Sequence, residues 1–201
     1  MKLVIGTAGW RMPYGAIQKG FLSQAEIEEI LDVADKDYIS SIDTSPDNGD
    51  AESIIGQCFW KRDIATKIVF SDESEIYLEE KLRQSMERLR VDALDVVFIH
   101  NWDDLQQSQK TRAYKFLKEM KTIGVVRDIG ISTYSLIAIK TILSSKMRDM
   151  VIQFNMNILD QRVLEFESDE WQNRFLESQI RLWGRSIFLQ GVLLDSSSNN
   201  P

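Results

Sequence analysis

Ile42-Asp43-Thr44-Ser45-Pro46-Asp47-Asn48-Gly49-Asp50-Ala51-Glu52 is the stretch whose reading decides the fold. It closes an apolar run that starts near residue 39 and passes at once into polar and turn-forming residues, so Asp43 stands where a predicted strand ends. Two more polar residues hold the same place. Lys67 follows Ile64-Ala65-Thr66, and His100 ends Leu94-Asp95-Val96-Val97-Phe98-Ile99. An Asp, a Lys and a His at the ends of three successive strands predict one polar rim built from neighbouring units.

Working outward, short apolar runs recur at about 3–8, 39–43, 63–69, 94–100, 126–131, 150–155 and 182–189, separated by longer segments of helical period. That alternation predicts an α/β fold with a parallel sheet. Ser23 precedes Gln24-Ala25-Glu26 as an N-cap with Glu26 in the capping-box position, and Ile27, Ile30, Leu31 and Ala34 share one face. Further faces are Ile76, Leu82, Met86 and Leu89, and then Tyr114, Leu117, Met120 and Lys121 ahead of a Gly124 C-cap. Another helix is expected over 161–180. About seven β-then-α units fit an incomplete (β/α)8 TIM-type barrel, whose usual length is about 250 residues. A doubly wound sheet is the competing architecture, but Gly6-Thr7-Ala8-Gly9-Trp10 after the first strand lacks a GxGxxG fingerprint. Residues 1–194 are expected to form one barrel domain. The polar stretch 195–201 is expected to be a disordered tail, with the eighth unit missing.

The chain has 201 residues, 43% hydrophobic and 27% charged, enough for one domain with a substantial core. A net charge of −7, with the 24 basic residues dispersed, argues against a nucleic-acid partner. No apolar run approaches the roughly 20 residues that span a bilayer, and the start shows no signal-peptide pattern, so a cytoplasmic protein without a membrane partner is expected. One His and one Cys do not supply a zinc site, and no loop has calcium-binding spacing, so no metal is expected. Cys58 reads as a small buried residue, Trp102, Trp171 and Trp183 as core or rim aromatics, and the carboxylates of 73–80 and 165–170 as solvated helix faces.

Asp43-Thr44-x-x-x-x-Gly49-x-x-Glu52, Thr66-Lys67 and Ile99-His100 together resemble the aldo-keto reductase signature. The resemblance covers nearly the whole chain. It takes in Gly6-Thr7-Ala8 with Met12-Pro13-Tyr14-Gly15, Ile129-Gly130-Ile131-Ser132, Gln153-Phe154-Asn155 with Leu159-Asp160-Gln161-Arg162, and Arg185-Ser186-Ile187-Phe188-Leu189-Gln190-Gly191. It is nearest to a bacterial subgroup often linked to surface-polysaccharide or sugar metabolism.

The resemblance implies NADPH-dependent reduction of a small aldehyde or ketone, in which hydride reaches the carbonyl carbon and a tyrosine protonates the oxygen. Asp43, Lys67 and His100 match three of the family's four catalytic positions, and the fourth, normally the tyrosine, is Asn48. A carboxamide donates a hydrogen bond but delivers no proton near neutral pH. Losing that donor costs about two to four orders of magnitude in rate, so weak or lost turnover is expected. Gly6, Thr7, Ser132, Gln153, Arg185 and Ser186 are implied as cofactor contacts, with Arg185 where many relatives place a stacking tyrosine. Without an eighth unit, NADPH affinity is expected to be weak or absent. Trp10 and Tyr14 are the candidates to approach the carbonyl, although Tyr14 in its turn also reads as loop packing. Two readings stay open: a weak or specialised carbonyl reductase, and a degenerate barrel kept as a binding protein. Seven strands leave two sheet edges uncovered, which predicts self-association into a homo-oligomer.

Overall fold

The computed structural model describes residues 3–15, 20–36, 39, 41–58 and 63–194. Strands and helices alternate in the order β1 (Val4–Gly6), α1 (Gln24–Lys36), β2 (Ser41–Asp43), α2 (Ala51–Gln57), β3 (Asp63–Ile68), α3 (Glu75–Leu89), β4 (Leu94–Ile99), α4 (Gln107–Thr122), β5 (Val126–Thr133), α5 (Leu136–Leu143), β6 (Met150–Asn155), α6 (Asp169–Ser178) and β7 (Ile180–Arg185). The seven strands form one sheet in sequence order, each parallel to the next. They curl into an incomplete (β/α)8 barrel, as the sequence implies. Among the described residues β1 and β7 do not pair with each other.

The helices cover the outer face of the sheet. Ile27 and Leu31 from α1, Leu82 and Leu89 from α3, Phe116 and Leu117 from α4, and Ile139 and Ile142 from α5 pack with Ile42, Ile64, Val97, Ile129 and Ile152 in one buried core. A second, smaller cluster fills the concave face: Ala65, Val96, Phe98 and Val151, with Trp183 against them. Phe98 on β4 meets Trp183 on β7 edge-on, ring centroids 5.6 Å apart. The contact reaches across two intervening strands because β5 carries Gly130 opposite Phe98. A Cβ there would stand 2.5 Å from the Phe98 ring and 2.9 Å from the Val151 carbonyl oxygen.

Local sequence explains most of the elements. Ser23 and Glu26 form the expected reciprocal cap, the Ser23 amide donating to Glu26 Oε2 at 2.7 Å and the Glu26 amide donating to Ser23 Oγ at 3.3 Å. Ser74 and Ser135 cap α3 and α5 one way only, each hydroxyl accepting from the amide three residues on. Gly124 takes φ +81° after α4. Lys121 leaves the apolar face of α4 for Asp128 and Asp149.

Three expectations are corrected. The single helix over 161–180 is a 3₁₀ turn at Arg162–Phe166 followed by α6, because Ser168 stands extended as the N-cap of a new helix. The last strand runs from 180 to 185 rather than 182 to 189, since Ser186 at φ +58° turns the chain out of the sheet. Ile76 is exposed rather than part of the core face of α3. Cys58 is partly buried at the C-terminal end of α2, where burial pushes its thiol pKa up. The 195–201 tail lies outside the described residues.

Candidate active site

Side chains alternate faces along a strand, so Ala65 and Lys67 of β3 both point into the concave side. Asp43 pairs in register with Ala65, which places Lys67 one pleat further along and lets its ammonium reach back over β2. Lys67 Nζ donates to Asp43 Oδ1 in a close ion pair and to the Thr44 carbonyl oxygen at 3.2 Å. The second carboxylate oxygen of Asp43 accepts from Gln153 Nε2 at 2.9 Å. One carboxylate thus ties β2 to β3 on one side and to β6 on the other, across the open mouth. Phe98 lies below the lysine, its ring centroid 5.8 Å from Nζ.

His100 stands at the same rim, just past β4, and its side chain is 41% exposed. Its Nδ1 faces Asp47 Oδ2 at 3.5 Å, so its nearest charged partner comes from the loop after β2 rather than from the Asp43–Lys67 pair. Partial burial and then the Lys67 charge hold the imidazole pKa below its usual value, with Asp47 pulling the other way and Arg185 adding to the depression.

The loop from Thr44 to Asp50 is fixed from several sides. Arg11 forks onto Asp50, Nε to Oδ1 at 2.6 Å and Nη2 to Oδ2 at 3.2 Å, and gives its Nη1 to the Leu22 carbonyl at 2.7 Å. Gly49 adopts φ +65° with its α-carbon so close to Arg11 that a Cβ would stand 2.6 Å from the Arg11 carbonyl oxygen. Behind it, buried Glu52 accepts from Thr66 Oγ1 at 2.7 Å and from Arg88 Nε at 2.8 Å. The glycine and glutamate of the signature are therefore scaffold for the loop that carries Asp47 and Asn48.

Asn48 is buried, and its Nδ2 donates to Thr7 Oγ1 at 3.0 Å. Thr7 in turn donates to Thr44 Oγ1 at 2.8 Å and is fully buried. Thr7 accordingly braces the rim from within. Trp10 is 5% exposed and packs in the main core. Tyr14 is partly exposed on the loop after β1. Gly6 is exposed at the end of β1, and a Cβ built on it would meet nothing within 4 Å. Ser132 and Gln153 are buried side by side at the ends of β5 and β6, Ser132 Oγ lying 3.5 Å from Gln153 Oε1. Ser186 Oγ lies 3.5 Å from Asn155 Oδ1.

Arg185 is stacked on Tyr134, its guanidinium carbon 3.9 Å from the ring centroid, and Nη1 donates to the Tyr134 hydroxyl at 2.9 Å. Tyr134 and Asp103 were missed by the sequence reading, and Asp47 and Arg162 entered it only inside longer stretches, without a role. Their signal was positional only: Tyr134 immediately follows Ser132-Thr133 at the end of β5. Among the described residues no group of three His, Cys, Asp or Glu side chains is placed to hold a metal ion.

A barrel of parallel strands and helices, with a Lys–Asp pair, a histidine and a glutamine gathered at the carboxyl ends of its strands, has the layout of an α/β-barrel enzyme site. The chain belongs to the aldo/keto reductase family, whose pattern matches residues 2–200. It is 27% identical over 183 residues to a Bacillus subtilis protein described as an uncharacterized oxidoreductase, YqkF, covering 83% of this chain and 57% of that protein. With the Saccharomyces cerevisiae D-arabinose 1-dehydrogenase it shares 30% identity over 122 residues, 54% of this chain and 36% of the other. The chain spans about half the length of the curated relatives it matches. In fold it is similar to the aldo-keto reductase AKR11C1 from Bacillus halodurans in its holo form, with a TM-score of 0.71 at 23% identity, covering 100% of this chain and 65% of that one. It is also similar to a Bombyx mori aldo-keto reductase in complex with NADP, with a TM-score of 0.67 at 18% identity over 92% of this chain and 62% of that one.

Proposed function

We propose that this chain is a carbonyl reductase of low turnover that uses NADPH on a small, sugar-like aldehyde or ketone in the cytoplasm. One observation carries the reading: the Asp43 carboxylate, bonded to Lys67 on one oxygen and to Gln153 on the other, beside His100 at the strand ends. Three features of the rim support a nicotinamide cofactor. The open space before Gly6 leaves room for a flat ring against the end of β1, Ser132 offers a hydroxyl at the end of β5, and the turn at Ser186 brings backbone to the end of β7. When bound, the cofactor supplies hydride to the carbonyl carbon.

The chain's own residues orient the carbonyl. Asp43 positions the Lys67 ammonium, and Lys67 and His100 present a polar surface to the carbonyl oxygen. Asn48 adds a hydrogen-bond donor but no acidic proton, and its amide is already engaged by Thr7. Proton delivery therefore falls to solvent through the exposed side of His100. The same engagement of Asn48 favours a second reading, in which the rim binds a carbonyl compound without turning it over.

The experiment is a titration with NADPH, read by tryptophan fluorescence, followed by NADPH consumption with a panel of aldehydes. We expect saturable binding, and Asn48→Tyr should raise kcat by about two to four orders of magnitude. Saturable binding with no turnover in either the parent or Asn48→Tyr would support the binding-protein reading instead.

A further inference from the structure

We propose that Arg185, stacked on Tyr134 at the end of β7 with its Nε–Nη2 edge unpartnered, recognises an anionic group, a carboxylate or a phosphate, on the carbonyl substrate. The inference deepens the reductase reading of the same rim and rests on it.

The guanidinium is held in place before any ligand arrives. Its central carbon lies 3.9 Å from the Tyr134 ring centroid, and Nη1 is committed to the Tyr134 hydroxyl at 2.9 Å. The platform is itself clamped. The Tyr134 amide donates to Asp103 Oδ2 at 2.7 Å, and the Tyr134 carbonyl accepts from Arg162 Nη1 at 2.9 Å. Arg162 is fixed by a fork onto Asp160, both contacts at 2.7 Å. Little side-chain freedom remains to be lost on binding.

What is left over is the edge suited to a pair of anionic oxygens. Nε–H and Nη2–H point the same way, which is the fork that meets a carboxylate or phosphate bidentately. Both nitrogens are closed off from water and meet no acceptor among the described residues. Other arginines of the molecule are neutralised: Arg11 by Asp50, Arg88 by Glu52, Arg162 by Asp160 and Arg181 by Asp128. Arg185 has a phenol and an aromatic face, and no carboxylate among the described residues. A buried charged donor without an acceptor is costly, so such an edge is retained for a partner that comes with the ligand. The residue as a whole stays partly exposed at the rim, so a small displacement of the side chain opens this edge to the ligand. Arg185 is also close enough to His100 for its charge to weigh against protonation of the imidazole. Arg185 pairs in register with Asn155, two residues beyond the Gln153 that bonds Asp43, so an anion on Arg185 and a carbonyl over His100 and Lys67 can be carried by one small molecule, an oxo acid or a phosphorylated aldehyde.

The test pairs anionic and neutral probes: pyruvate with hydroxyacetone, and D-glyceraldehyde 3-phosphate with D-glyceraldehyde. Binding is read by calorimetry and by NMR of the single histidine, His100, in the parent, Arg185→Met and Arg185→Lys proteins. We expect at least one anionic probe to bind about tenfold or more tightly than its neutral partner, matching the low end of what a bidentate charged contact contributes. Arg185→Met should erase that preference and Arg185→Lys should keep only part of it. The pair that shows the effect distinguishes carboxylate from phosphate. Equal binding within both pairs, or a preference that survives Arg185→Met, would overturn the proposal. NADPH consumption is followed separately: turnover of neutral D-glyceraldehyde as efficient as that of its phosphate overturns the anion site and leaves the reductase reading standing. Arg185-dependent binding with no NADPH consumed by either the parent or Asn48→Tyr upholds the site and removes the reductase reading.

Discussion

His100 is the only histidine in the chain, so its titration can be followed by NMR without assignment. Burial and the Lys67 charge lower its pKa from 6.5, against the pull of Asp47. The unfolded chain then takes up the proton at a higher pH than the folded one, so the stability contributed by neutral His100 is present above about 6.5 and is lost as pH falls through the folded midpoint. We expect that midpoint below 6.5, moved up by Lys67→Met and further down by Asp47→Asn; a midpoint at or above 6.5 in the parent would contradict the arrangement. The strand-end position of Asp43, Lys67 and His100 was legible because apolar runs mark where strands stop. Partner choice was not. That Gln153 would bond Asp43, 110 residues away in sequence, or that Thr7 would spend its hydroxyl inside the rim, depends on which strands end up facing each other across the curl. Trp10 illustrates the same limit, since nothing in its neighbours distinguishes a loop aromatic from one folded back into the core.

At the level of elements, periodicity located all seven strands and most helices, and the boundary errors fall where a single residue redirects the backbone. Ser168 starts a new helix and Ser186 ends β7, and both are small polar residues that a sequence reading passes over. Gly130 works in the opposite way, its missing side chain letting β4 and β5 serve a common interior. We expect Gly130→Ala to cost about 1–3 kcal/mol in urea denaturation through overpacking against Phe98 and the Val151 carbonyl. Adding Phe98→Leu should recover part of that loss, because the two sites share one contact; strictly additive effects would show that the ring is not what the new methyl meets.

For the whole molecule, β1 and β7 each offer an unpaired edge among the described residues, and exposed Ile158, Ile187, Phe188 and Leu194 lie about an open apolar groove beside β7. Such edges are templates for pairing, so the 201-residue chain should sediment as a dimer or larger; a concentration-independent monomer would refute this. Among the described residues, the chain after β1 and the chain after β7 do meet. Gly15, at φ +75° on the loop after β1, sits where a Cβ would stand 2.8 Å from the Gln190 carbonyl oxygen, and Gln190 and Gly191 after β7 are themselves at positive φ. In mechanical terms the barrel is a bracelet with a clasp. The clasp is a touch of Gly15 on the backbone and side chain of Gln190 rather than a ladder of hydrogen bonds, so a side chain at position 15 strains the closure before it disturbs any strand.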